Sequence, residues 1–491
     1  MTYSGLIGLV IGSSTIFTGL IFLLIVTRTL SPEELGTWSL IGGLLTYVII
    51  IEPMISYWTT REIARGVESG KTAVVSSGLF SVVGILAYII IAYVVSEPTA
   101  TDVNVLYFAA LMIPFIFLNR TFSAIALGWK PHVNSIGVLI FDIAKIPAAL
   151  FFMISMDYGI EGAILSLVIG YVVSDIILAI LCRSQIQKRI NKDYLEKWLK
   201  LAWLPSYIKF PNMIVLDVLI FSVLTGSVVG LAYWTAAYTV GTAVRHTSQI
   251  TRAVYPKLLS GGQKEYLQEN LIRLFYFAFP FLAISIFFAK PVLFALNPLY
   301  DVAAVAVIFI AIRAFLKILA SSFTQALQGI EDVDKNQNST QKDFIKSKLF
   351  YLPTIRLIHR GVYLGTLGIG LYLFIQYGTS QLDLVVYWSI IAMIIQIPFT
   401  TYFYLLTRKN FPVSVDPITI MKYLVISILV FGGTYLLTEE FLEYNESIFV
   451  FLPNLIPFVL FSIFVYLGLT YVFDKRTRKL FKAVISEIKP H

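Results

Sequence analysis

One cysteine, Cys182, stands in 491 residues. That excludes a disulfide framework, a thiolate metal cluster and a paired-cysteine redox centre. Histidine is nearly as scarce. His132, His246, His359 and His491 are scattered, and no H-E-x-x-H pattern sets two of them on one helix face. No metal site and no cofactor is expected. A G-x-x-x-x-G-K-[ST] loop is missing as well, which removes an ATP-driven pump from consideration. Charge is thin, at 13% of residues, against 57% hydrophobic residues and a mean hydropathy of +0.80. This balance lies outside the range of soluble domains and describes a polytopic protein of the cell membrane.

Crossing the hydrocarbon takes about 20 apolar residues in a helix. Fourteen segments approach or exceed that length: 5–26, 36–57, 73–95, 104–128, 134–156, 160–182, 203–223, 230–250, 271–294, 302–328, 361–377, 384–406, 421–438 and 447–473. An even number puts both termini on one side. The even-numbered loops and the C-terminal tail hold 28 Lys and Arg, and the opposite loops hold Arg28 alone. The positive-inside rule therefore predicts cytoplasmic N and C termini. The basic pI of about 9.2 reports this asymmetry, and no nucleic-acid partner is needed to explain it. The outer loops are short and partly acidic, as in "TEEFLEYNES" at 438–447. They leave no room for an outer catalytic domain, so a polytopic glycosyltransferase is disfavoured and the chain is not expected to be an enzyme.

A repeat organises the segments. "LSPEELGTW" at 30–38 and "LTGSVVGLA" at 224–232 each join two apolar segments and each places a Gly, Gly36 or Gly230, where the chain returns; their offset is 194 residues. "DYGIEGA" at 157–163 and "QYGTSQL" at 376–382 have an offset of 219, and the long inner loop at 329–360 accounts for the slip. The expected fold is all-α, with lobes of six helices over 1–200 and 201–410. Two further helices and a basic cytoplasmic tail follow over 411–491. Six is even, so the lobes share an orientation and are related by a pseudo-two-fold along the membrane normal.

Charge buried in such segments is costly, at least ~2.5 kcal/mol near the bilayer centre on insertion scales. Arg313 and Lys317 lie four apart on segment 302–328, hence on one face, with no acid in that segment and only Asp301 just beyond its outer end. Two like charges there repel unless an anion or water lies opposite. Arg120, Lys145, Lys209 and Arg245 fall in other segments, and Arg61 sits at the inner mouth of 36–57. These seven are the candidate contacts for an anionic head group, which Arg grips bidentately and Lys as a point charge. Asp142 and Lys145, three apart, can instead pair with each other. Glu52, before the helix-breaking Pro53, and Asp142, Asp175 and Asp217 are candidates for coupling to H⁺ or Na⁺, with pairing to an intramembrane cation as the alternative.

Four stretches, "VTRTLSPEELGTWSL" (26–40), "TTREIARG" (59–66), "DYGIEGAIL" (157–165) and "VYPKLLS" (254–260), resemble motifs of the polysaccharide and O-antigen flippases. That family handles lipid-linked oligosaccharides and belongs to the multidrug/oligosaccharidyl-lipid/polysaccharide exporter superfamily. The resemblance implies two six-helix lobes around a central cavity and alternating access. It also implies transfer of a polyprenyl- or dolichyl-(pyro)phosphate-linked oligosaccharide to the outer leaflet, for surface polysaccharide or glycoprotein assembly. The partners expected are the lipid-linked glycan, membrane lipid and H⁺ or Na⁺, with the protein acting as a monomer. A cation-coupled multidrug exporter of the same superfamily is the alternative.

Overall fold

The structure is a computed structural model that describes residues 18–187, 189–200, 202, 207, 216–253, 265–331, 345–411 and 416–479. Lys209, the "VYPKLLS" stretch and the last residues of the tail lie outside the described residues. Among those described, every regular element is helical. Each predicted apolar segment overlaps a helix, and eleven helical stretches are long and apolar enough to cross a membrane. The chain is an all-α, multi-pass membrane protein. The three shorter cases are α1 (Thr18–Thr29), α10 (Leu216–Thr225) and α11 (Val229–Gly241), the last running into a 3₁₀ helix over Ala243–Ala253.

The helices form two compact units, Met1–Thr235 with Gly368–Gln381, and Ala236–Leu367 with Leu382–His491. In the first unit, α2 (Pro32–Val48) begins earlier than its apolar run because "SPEE" is a helix start. Ser31 Oγ accepts from the Glu34 amide at 3.2 Å and Glu34 Oε2 accepts from the Ser31 amide at 2.9 Å, a reciprocal cap with Pro32 in the first turn. Pro32 thus lies past the end of α1 and opens α2. At the other end α2 tightens into a 3₁₀ turn over Ile49–Ile51, and α3 (Pro53–Ala64) restarts at Pro53, whose ring cannot donate to the ladder.

Helices α4 (Gly70–Ser96), α5 (Val103–Ala109), α6 (Met112–Trp129), α7 (Pro131–Ala149) and α8 (Gly159–Leu181) complete the body of this unit. Ile63, Phe122, Ile125, Val133 and Leu178 form a core shared by α3, α6, α7 and α8. The amphipathic α9 (Lys192–Lys200) buries Trp198 against Ile55 and Ala73 and extends Lys197 to Glu62 at 3.5 Å.

The second unit is built from α12 (Glu265–Phe287), α13 (Ala289–Leu296), α14 (Ala304–Gly329), α15 (Lys348–Gln376) and α16 (Gln381–Asn410), with α17 (Pro417–Phe441) and α18 (Ile448–Phe473). Leu271, Leu274, Ile318, Phe323, Leu352 and Phe403 join α12, α14, α15 and α16 in one core. The aromatic residues Tyr276, Phe288, Tyr423, Phe431, Phe451 and Tyr466 join α17 and α18 to α12 and its neighbour α13 in another. Helix α15 begins well before residue 361, so part of the expected inner loop is helical. Arg356, His359 and Arg360 lower the local hydropathy without breaking the backbone ladder.

Candidate functional site

In the first unit the intramembrane charges are largely matched. Lys145 Nζ pairs with Asp142 Oδ1 one helical turn away, and Thr18 Oγ1 donates to the other oxygen, Asp142 Oδ2, at 2.9 Å. Both charged residues are buried, and the ammonium also lies over the rings of Phe141 and Phe22 at 4.7 and 5.3 Å. The local pairing seen as an alternative in the sequence is thus the arrangement in the fold.

Arg120 on α6 reaches Glu52, at the α2–α3 break, with 3.8 Å between Nη1 and Oε2; the carboxylate is buried and the guanidinium half-exposed. One residue before Arg120, Asn119 Nδ2 donates to Asp175 Oδ1 at 2.8 Å and to Ser174 Oγ at 3.1 Å. Ser174 passes the chain on to the Gly137 carbonyl at 2.9 Å. Asp175 Oδ2 is buried with no hydrogen-bond partner among the described residues. Asp217 is buried in the first described turn of α10. Arg61 stands exposed on α3, donating to Tyr57 Oη at 2.5 Å with its guanidinium over the same ring.

The second unit differs in kind. Arg313 on α14 is 5% exposed, its Nε has no hydrogen-bond partner, and no carboxylate lies in ion-pair range of it among the described residues. Its guanidinium carbon sits 4.8 Å from the centre of the Tyr363 ring. Arg360, one turn before Tyr363 on α15, lies 5.3 Å from that same centre. Tyr363 is fixed from behind, because Trp388 Nε1 donates to Tyr363 Oη at 2.7 Å inside the protein. Lys317 follows Arg313 by one turn on α14 and is exposed. Arg356 Nη2 donates to Thr324 Oγ1 at 2.6 Å, tying α15 to α14, and the His359 ring packs on Phe399 at 4.3 Å.

Two guanidinium groups therefore share one aromatic ring, and the buried Nε of Arg313 has no hydrogen-bond partner among the described residues. Arg245 lies apart from this group, donating from its 3₁₀ helix to Tyr238 Oη at 3.2 Å. Arg356, Arg360 and Tyr363 were not picked out in the sequence. Their signal was the spacing 356, 359, 360, 363, which places four polar or aromatic residues on one helical face.

No protein-family model matches the sequence, and no curated protein does. Solved structures do match. The lipid II flippase MurJ in an inward closed conformation superposes with a TM-score of 0.65 at 15% identity, over 96% of this chain and 100% of that one. An inward-facing multidrug resistance MATE family transporter of the MOP superfamily gives 0.59 at 15% identity, over 80% and 94%. A MATE in complex with MaD5 gives 0.51 at 14% identity, over 82% and 93%. The chain therefore has the fold of these membrane transporters of the MOP superfamily and of MurJ.

Proposed function

We propose that the protein is a flippase that carries a polyprenyl- or dolichyl-(pyro)phosphate-linked oligosaccharide from the cytoplasmic to the outer leaflet by alternating access. On this reading it makes and breaks no covalent bonds and acts as a monomer. Its partners are the lipid-linked glycan, the surrounding lipid and a coupling H⁺ or Na⁺. The observation that carries the reading is Arg313. A buried guanidinium in a membrane helix, without a carboxylate beside it, is expensive unless its counter-charge arrives with the substrate. A phosphate or pyrophosphate supplies that charge in the geometry guanidinium groups favour. Lys317, Arg360 and Arg356 extend the positive field along α14 and α15, and Arg120 is the candidate contact in the first unit.

The fold is shared with MATE multidrug transporters, but a site for organic cations calls for carboxylates where this chain places Arg313 and Arg360. The buried Glu52 and Asp175 fit ion coupling better. The test is a cell lacking the wild-type protein and carrying Arg313→Ala/Lys317→Ala. Lipid-linked glycan is expected to accumulate on the inner leaflet and disappear from the outer one, with its synthesis unchanged. Normal outer-leaflet glycan in that strain would remove the proposal.

A further inference from the structure

A cavity of about 370 Å³ opens in the first unit where the starts of three helices lie side by side. Glu33 and Glu34 line it from the first turn of α2, Ile160 from α8, and Val229 from α11. Asp102, the N-cap of α5, adds a third carboxylate, and Thr37 and Thr101 add hydroxyls. This end is opposite to the end of α3 that bears Arg61, and the charge pattern predicts that it faces outward.

Two of the carboxylates are partly committed. Glu34 accepts from the amides of Ser31 and Ile160, and Asp102 Oδ1 accepts from the Asn104 amide at 2.9 Å. Glu33 has no hydrogen-bond or ion-pair partner among the described residues. Thr37 carries the independent observation. It is 8% exposed, lines the cavity, and its hydroxyl has no partner among the described residues. Other buried helical threonines, such as Thr27 and Thr59, turn back on the carbonyl four residues earlier. Thr37 makes no such return bond; its hydroxyl borders the open cavity and is available to a ligand.

The chemistry of the lining selects the ligand. The helix-start amides of Glu34, Ile160, Val229 and Asn104 are already bonded to Ser31, Glu34, Ser227 and Asp102, so the wall presents carboxylate acceptors together with the hydroxyls of Thr37 and Thr101. That mixture suits a polyhydroxylated ring. The volume falls at the small end of the range of about 300–1,000 Å³ usual for ligand pockets, large for a single ion. Among the described residues no three carboxylate, His or Cys groups are placed to hold a metal. The lining contains three acids and no Lys, Arg or His among the described residues, which repels acidic sugars.

We propose that this cavity is an outer subsite for an uncharged or amine-bearing sugar unit of the transported glycan. The proposal rests on the flippase reading and adds the class of glycan carried. The experiment is saturation-transfer NMR on the full-length protein in nanodiscs, with N,N′-diacetylchitobiose, glucosamine and glucuronic acid as probes. The first two are expected to show saturation transfer and the third none. Loss of one hydrogen-bonding group, in Thr37→Val or Glu33→Ala, is expected to weaken the signals about fivefold or more, and Thr37→Ser to retain them. Equal signals from glucuronic acid, or signals unchanged in Thr37→Val, overturn the subsite. The two ideas separate in Arg313→Ala: sugar signals persist while outer-leaflet glycan is lost. A wild-type protein that flips its glycan but shows no sugar signal defeats the subsite alone.

Discussion

Gly36 of α2 meets the main chain of Val228 in the turn between α10 and α11 so closely that a Cβ on Gly36 would overlap the Val228 carbonyl. The two corners that the sequence pairs as repeats are therefore also packed on each other. A side chain at position 36 has backbone in its way, which cannot swing aside as a long side chain does. Gly36→Ala is expected to destabilise the protein by about 1–3 kcal/mol, the usual range for overpacking. Six residues on, Gly42 has nothing within 4 Å of its Cβ position. Gly42→Ala is expected to be neutral or slightly stabilising, since Ala exceeds Gly in helix propensity by up to about 1 kcal/mol. Thermal unfolding of the two variants in one detergent checks the contrast. Equal melting temperatures would show that the α2 corner yields freely.

Tyr363 has two roles that substitution separates. Its ring faces Arg313 and Arg360, while its hydroxyl accepts from Trp388. Tyr363→Phe keeps the ring and removes the acceptor of the buried Trp388 indole N–H, at a cost of about 1–3 kcal/mol in stability. Tyr363→Leu removes the cation–π contacts, each worth about 0.5–2 kcal/mol, and loosens the guanidinium groups. Transport measured at matched protein levels is expected to fall further in the Leu variant than in the Phe variant. The reverse order would mean that the hydroxyl, not the ring, positions the cations.

The membrane-spanning pattern was legible because length and apolarity alone specify it: each of the fourteen runs overlaps a helix. What escaped was local polar chemistry. "SPEE" reads as a loop by hydropathy, yet Ser31 and Glu34 make it a helix start. Arg356, His359 and Arg360 interrupt an apolar window while remaining inside α15. Partners three residues apart, such as Asp142 and Lys145, follow from helix geometry. Glu52 and Arg120 do not: they lie 68 positions apart in the sequence, and only the packing of α3 on α6 brings them together. The cavity beside Thr37 was equally hidden, since residues from four separate stretches form its wall.

The Asp142–Lys145 pair distinguishes a structural cation from a transport cation. Removing one partner of a buried pair leaves an uncompensated charge, so Asp142→Ala is expected to cost about 3–5 kcal/mol. Asp142→Leu/Lys145→Met replaces both by apolar groups of similar size and is expected to recover most of that loss. Transport by the double variant at near wild-type rate would assign the pair to folding. Recovered stability with no transport would instead place Lys145 or Asp142 on the substrate or ion path.

Asp474 caps the C-terminal end of α18 and gives the C-terminal helices a dependence on acid. Its Oδ2 accepts from Tyr423 Oη at 2.7 Å and from both the amide and the hydroxyl of Thr477 at 2.9 Å, which clamps α17 to α18. Burial pushes its pKa up, but those hydrogen bonds and the nearby Lys422 outweigh burial and hold the carboxyl below its ordinary value of 3.8. A folded pKa below the unfolded one means stability that is fully present above pH 3.8 and lost as pH falls through the lower folded value. The melting temperature is therefore expected to drop on acidification below about pH 4. In Asp474→Asn part of that drop should vanish, together with part of the stability at neutral pH, because the amide lacks the charge that strengthens these three hydrogen bonds. Scanning melting temperature from pH 7 to pH 3 in both proteins provides the check: parallel curves would show that the clamp does not titrate with this carboxylate.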